Sequence, residues 1–468
     1  MRVAEMGSAM GGQTTTMDEM TLDSLVQQQM NYWQIPGVVI GVLKDGETHI
    51  DSWGIANITG VEPMRPEMLV RVASISKVFT ATLAMILAED GVVTLDTPVI
   101  EYLPDLRLAD EEVQRTITLR HLLSHGSGLH GDFFIDMGQG EDALAKAIAE
   151  FHTLRQVYRP DEMWAYTNSG FHLAGRVLEV AGGKPFDTLM RERVFGPLGM
   201  ERSCFFAHEM LCWPHAVGHS PVAPGSRKHK VAGQYYPRNR LPAGGVASNA
   251  LELLRFAKFH MGDGEGILSA GSLTAMREPQ RKAGNWADEW GIGWDIRTIE
   301  GVKVIGHGGS INGFKSQLTL IPERETAFVM LTNSDYGSAA NLRFDRFLLQ
   351  TECGPTYTPP EPVTLPAEKL AAYAGRYTHP DADITLTIEG DRVRVVMTGG
   401  WPGVEGRIDY PADIAAPISD SEFIVTEGDG STTTFDIIPH ADGTPRFLRR
   451  HGRLYESVGT RDSGPGAG

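Results

Sequence analysis

The spacing of apolar residues predicts where each element lies. From Leu22 to Gln34 apolar positions recur at helical spacing, with Asp23 and Ser24 near the start. After Pro36 the run GVVIGVLKDGETHIDSWG holds two apolar segments around Lys44-Asp45-Gly46, and the Asp-Gly pair predicts a hairpin. In VASISKVFTATLAMIL, residues 72–87, the helical period returns through Ile75, Val78, Phe79, Leu83, Ile86 and Leu87, and Gly91 closes the helix. More helices are predicted over 141–151, over about 170–180 with a stop at Gly182-Gly183, and along Phe186, Leu189, Met190 and Val194. A last one follows LPAGG, with Ser248 as its N-cap and Gly262 as its stop. From Trp290 the pattern changes to strands on short turns, GIGWDIRTI, VKVIGHGG, SQLTLIP and TAFVMLTNSD, which predict an antiparallel sheet. Helices before and around such a sheet make an α+β, or mixed α/β, domain.

Residues 354–366, GPTYTPPEPVTLP, read as a semi-rigid linker. Beyond them ADITLTIEGDRVRVVMT, EFIVTEG, TTTFDIIP and FLRRHGRLYESV alternate as strands do. They predict a separate antiparallel β domain over 367–457, of small barrel or sandwich type. The division is then a flexible leader over 1–18, a first domain over 19–353, the linker, the β domain, and a Gly-rich tail over 458–468.

Charge removes some function classes. The formal net charge of -17 argues against nucleic acid, which needs Lys and Arg to displace counterions. No stretch is long and apolar enough for a membrane span, and no signal peptide is visible, so a cytoplasmic protein is expected. Cys204, Cys212 and Cys353 have no Cys-x-x-Cys spacing, which leaves no disulfide framework or cysteine zinc site. His121 and His125 stand four apart, but no third ligand has suitable spacing, and Leu119, Leu122 and Leu123 favour a short buried helix.

Three short motifs carry the candidate chemistry. Ser74 and Lys77 lie one helical turn apart, and no other lysine has a serine three residues before it. Burial would push the Lys77 amine toward neutrality, and a neutral amine beside a hydroxyl activates serine. Tyr166-Thr167-Asn168 is the one Tyr-x-Asn. A phenol near an ammonium ionises more easily, and the Asn168 amide can position a carbonyl and hold Lys77; the plainer reading is a turn before a helix. His307-Gly308-Gly309 follows a short strand. Its glycines admit a substrate close to the backbone, and its imidazole is expected to titrate near pH 7.

In the order Ser-x-x-Lys, Tyr-x-Asn, His-x-Gly, the chain resembles the penicillin-recognising serine hydrolases, nearest their class C β-lactamase-like and D-aminopeptidase-like branch. RVASISKVFTA, ITLRHLLSHGSGL, AYTNSGFHLAGRVLE, LPAGGVASNALELLRF and GHGGSINGF support this over about residues 25–350. No Gly-x-Ser-x-Gly competes. The resemblance implies Ser74 as acylated nucleophile, Lys77 and Tyr166 as its base system, and Asn168, His307, Gly308 and Gly309 in substrate binding. It also implies an oxyanion hole from the backbone N–H groups of Ser74 and Ser310, with no metal and no cofactor. Histidine in the third motif, where β-lactamases commonly have lysine, resembles the peptidase, amidase and cyclase members. The β domain resembles the lipocalin-like domains of D-aminopeptidases and peptide cyclases, in which a loop reaches toward the active site. Arg449, Arg450 and Arg453 lie in its last strand pair, and Arg449 or Arg450 is the candidate for a bidentate contact to a substrate carboxylate. The plainer reading of each is a solvated cation.

The expected activity is hydrolysis of a small peptide, amide or ester through an acyl-enzyme. Peptide cyclisation, β-lactam or DD-carboxypeptide hydrolysis, and a sensor that acylates without turnover remain open. The expected partner is a small-molecule or short-peptide substrate, with no nucleic acid and no membrane; the oligomeric state stays open.

Overall fold

The Asp45-Gly46 pair forms the turn its sequence predicts. Both residues adopt positive φ, 51° and 82°, and Gly37–Lys44 pairs antiparallel with Glu47–Gly54. The hairpin then joins a distant strand. Val38 faces Thr332, so Gly37–Lys44 lies against Thr326–Thr332, and both ends of the first domain meet in one sheet. The order continues through Phe314–Ile321, Val302–Ile311 and Asp295–Ile299 to the two-residue strands Glu289–Trp290 and Arg281–Lys282, which makes eight antiparallel strands. The computed structural model describes residues 20–458 apart from 224, 402 and 403. The expected leader, and the expected tail beyond Val458, lie outside the described residues.

Both faces of the sheet are covered. Every residue of Thr326–Thr332 is buried, and alternate side chains serve different cores. Val329 and Leu331 join the large cluster that holds Val78, Phe79 and Phe256; Phe328 and Met330 join the smaller one formed with Leu25, Val26, Phe344 and Leu348. A strand buried on both sides has a continuous apolar run, as TAFVMLT shows.

The Ser74 segment is shorter in helix and deeper than its periodicity predicts. Ala73–Ile75 is a 3₁₀ turn, and the α-helix runs Ser76–Glu89. Ser76 through Leu87 are all buried, so this is a central helix with no solvent face. Another boundary also moves. The cap of Ala250–Met261 is Asn249, whose side chain accepts from Glu252 N at 3.0 Å, while Ser248 pairs with Val70 in a two-residue strand. Both residues are good caps by type, and only the one whose oxygen reaches the third residue's N–H serves.

The β domain is a closed barrel of eight antiparallel strands, with Val404–Asp409 as a side branch on Arg392–Trp401. Gly375–Thr378 closes the ring against Arg453–Ser457. The stretch expected to be wholly β opens with a short helix, Ala367–Ala372, whose Leu370 packs into the barrel core with Tyr377, Phe423, Phe435 and Leu448. Residues 354–366 carry no helix or strand, yet the Arg346 guanidinium lies 3.8 Å from the Tyr357 ring centroid and Val363 N donates to Pro417 O.

Candidate active site

The 3₁₀ turn presents Ser74 with Ala73 at φ 50°, a left-handed conformation that a non-glycine residue adopts only when its surroundings hold it. Val302–Ile311 runs hard against this turn. A Cβ on Gly309 would lie 2.3 Å from Val72 O and 2.2 Å from Ser316 Oγ, so this position accepts only glycine. Ser310 follows on the same strand and is exposed. Ser74, Lys77, Tyr166, Asn168 and His307, spread over 233 positions of chain, therefore face one cleft.

Lys77 has no solvent exposure. Its Nζ lies 2.7 Å from Asn168 Oδ1, 2.6 Å from Ala243 O and 3.2 Å from Ser74 Oγ. Burial holds its pKa well below the ordinary lysine value; the Arg453 charge adds to this and Asp132 opposes it. A neutral amine has two hydrogens and one lone pair. The two carbonyl oxygens, at the shorter distances, take the hydrogens, and the lone pair is left for the Ser74 hydroxyl proton.

Tyr166 is buried among aromatic rings and cations. Its ring lies 4.3 Å from that of His125 and stacks on Trp286 at 5.9 Å, with Lys77 Nζ and Arg453 Cζ each 4.8 Å from its centroid. The expectation that the phenol ionises more easily is reversed. Burial raises its pKa more than the Ser74 hydrogen bond and the Arg453 charge lower it, so the hydroxyl keeps its proton at neutral pH. His307 also departs from expectation. Burial and the Lys77 charge bring it down to about 3, so it stays neutral near pH 7. Its Nδ1 donates to Gly308 O at 2.6 Å, and Nε2 is buried without a partner, a lone pair open to a donor.

The barrel reaches this cleft. Gly452, in the turn before the last strand, accepts from Tyr166 N at 2.8 Å. Arg453 grips Asp132 through both oxygens, at 2.6 and 2.9 Å, and donates to Tyr166 O at 3.1 Å. Asp132 Oδ1 in turn accepts from Asn168 Nδ2 at 2.5 Å. Sequence reasoning missed Asp132, which no local pattern ties to an arginine 321 residues away. It also missed the Ala243 carbonyl, whose one signal was its place in LPAGG. Arg449 is bound bidentately by Asp436 and donates to Trp164 O; Arg450 pairs with Asp413. Neither guanidinium points free into the cleft.

His121 and His125 are each engaged. His121 Nε2 lies 2.9 Å from Asp161, and His125 Nδ1 accepts from Thr167 N at 3.1 Å, which steadies the residue between Tyr166 and Asn168. Asp132, His379 and Asp381 bring ligand atoms within 4.8 Å of one another across the domain boundary. Arg453 and Asn168 already occupy both Asp132 oxygens, and the guanidinium would repel a second cation, so no ion is assigned there.

Four buried imidazoles make an acid-stability prediction. Burial lowers His172, His260 and His307 to about 3 and His379 to about 4. Folded values below the ordinary 6.5 mean that the unfolded chain takes the proton first. The stability from neutral burial is complete above pH ~6.5 and falls as pH drops toward ~4, by up to about 1.4 kcal/mol per pH unit for each ring. Scanning calorimetry should show Tm nearly level above pH ~6.5 and falling from there to pH ~5; a flat Tm over that lower range would contradict neutral burial.

Comparison with known proteins agrees with this geometry. Penicillin-binding protein 4 of Amycolatopsis lactamdurans is 34% identical over 359 residues, 73% of this chain and 93% of that protein. The D-aminopeptidase of Cereibacter sphaeroides is 27% identical over 342 residues, 69% of this chain and 62% of that one. The crystal structure of SurE with D-Leu matches the fold with a TM-score of 0.71 at 24% identity, covering 93% of this chain and 98% of that chain. The family model described as Beta-lactamase matches residues 22–351, the span that carries all three motifs, and the chain belongs to that family.

Proposed function

We propose that this protein is a serine hydrolase that cleaves a small peptide, amide or ester through an acyl-enzyme on Ser74. The single observation that carries this reading is the Lys77 amine, fully buried, held by two carbonyl oxygens and turned to Ser74 Oγ. Lys77 takes the Ser74 proton as the hydroxyl attacks, and the protonated Tyr166 donates to the leaving group. The N–H groups of Ser74 and Ser310 receive the oxyanion, and Asn168 positions the substrate carbonyl. The similarity to a D-aminopeptidase and a penicillin-binding protein supports this class of chemistry. Among the described residues no helix is long and apolar enough to cross a membrane.

A panel of D- and L-amino-acid amides, nitrophenyl esters and nitrocefin tests the reading. Steady turnover of at least one amide or ester is expected. One equivalent of nitrophenol per chain with no steady state would instead indicate an acylating sensor. Nitrocefin should be a poor substrate, with kcat/KM at least about a hundredfold below the best amide or ester. The reason is His307. A neutral ring with a bare Nε2 lone pair repels a β-lactam carboxylate and accepts a substrate N–H. Nitrocefin turnover equal to the best ester would remove this assignment.

A further inference from the structure

Three arginines of the last barrel strands are spent on protein carboxylates, but one arginine beside the cleft is not. Arg240 is half-buried, and none of its guanidinium N–H groups has an acceptor among the described residues. Its Nε is fully buried and unpartnered. The guanidinium lies over the Phe134 ring, 4.9 Å from the centroid. A desolvated cation without an acceptor is costly, and the surroundings do not supply one. Neither nearby carboxylate pairs with it: Asp136 Oδ1 accepts from Tyr235 Oη and Gly138 N, and Asp132 accepts from Arg453 and Asn168. Burial also lowers the Arg240 pKa, with Asp136 and Asp132 acting against this from a distance.

The position of this cation is fixed by the active site. Three residues after Arg240, the Ala243 carbonyl accepts from Lys77; two residues before Phe134, Asp132 accepts from Asn168. The buried Asn239 side chain joins the two segments, accepting from Met137 N at 3.2 Å and donating to Ile135 O at 3.1 Å. Tyr236 Oη donates to Arg240 O, and a Cβ on Gly244 would sit 2.6 Å from the Tyr236 hydroxyl oxygen. The rim therefore holds a pre-set guanidinium next to exposed apolar surface from Phe134, Ile135 and Tyr235, at 48, 57 and 57% exposure. A protein of net charge -17 gains nothing in general anion binding from one arginine, so the feature is local.

We propose that Arg240 and Phe134 form a subsite for a substrate carboxylate attached to an apolar group, so that the substrates include peptides or acyl compounds with a free acid at the end that reaches this rim. The guanidinium binds the carboxylate by a forked contact, and the rings cover the apolar neighbour. This inference rests on the hydrolase reading only for the fate of the substrate; binding itself needs no turnover.

The test uses the full chain and a matched probe pair, 3-phenylpropanoate and 3-phenylpropanamide, with Kd measured by calorimetric titration. Wild type is expected to bind the acid about tenfold or more tighter than the amide, with the preference shrinking at high salt. Arg240→Gln should abolish that preference, and Arg240→Lys should restore part of it; thermal melting confirms that each variant is folded. An acid-over-amide preference that survives Arg240→Gln overturns the proposal. So does a wild-type protein that binds the two probes equally, which needs no variant at all. Loss of labelling at Ser74 by a fluorophosphonate would instead count against the hydrolase reading and leave the Kd ratio intact.

Discussion

Ser74→Ala is expected to abolish covalent labelling by a fluorophosphonate and to lower kcat by about three orders of magnitude or more. Intact-mass spectrometry and steady-state kinetics on a nitrophenyl ester give both readouts. The control is Ser76→Ala, two positions away on the same element. Ser76 is buried, and its Oγ accepts from Val246 N at 2.9 Å, away from the Lys77 amine. Its removal strands one buried N–H, a stability cost of about 1–3 kcal/mol, and should leave kcat within about tenfold. Full labelling of the Ser74→Ala protein would end the assignment. Labelling lost in both variants, with Ser76→Ala still folded, would mean that the turn itself carries the reactivity and not the Ser74 hydroxyl.

What the sequence makes legible is local spacing. Ser74 and Lys77 share a helical face because three residues make most of a turn. Asp45-Gly46 makes a hairpin because both residues tolerate positive φ. Neither inference needs the rest of the chain. Burial does, and the corrections gather there. Lys77 is deeper than an amphipathic reading implies, because helix Ser169–Gly182 and the short Leu241–Gly244 turn cover the side that would otherwise be wet. The same enclosure turns two titration expectations around: Tyr166 rises where a neighbouring cation alone would lower it, and His307 leaves the neutral range altogether. The barrel was legible as alternating strands, and its cluster of arginines was visible. Which arginine meets which carboxylate was not, because Asp132, Asp413 and Asp436 reach them only through the folded arrangement of both domains.

The second large effect is expected at the link between barrel and cleft. Arg453, Asp132, Asn168, Lys77 and Ser74 form an unbroken series of contacts, none longer than 3.2 Å. Arg453→Ala leaves the Asp132 carboxylate buried and unpaired, a loss of about 3–5 kcal/mol in stability by analogy with other broken buried pairs. It also removes a positive charge that lowers the Lys77 pKa and keeps a negative one that raises it. Lys77 must be neutral to accept the Ser74 proton, so the acid limb of kcat/KM should move to higher pH, with kcat at pH 7 reduced by about tenfold or more. Asp132→Asn does the opposite. It keeps an oxygen for Asn168 Nδ2 and deletes the negative charge, so the acid limb should move to lower pH. The double variant loses both charges and should bring the limb back toward wild type, even with stability still reduced. This reversal separates an electrostatic role from a structural one, since simple loosening of the cleft would lower rates in all three variants and leave the limb in place. Arg453 sits on the barrel and Asp132 on the hydrolase domain, so a shift of opposite sign in the two single variants means that the barrel helps set the protonation of the base on which Ser74 depends.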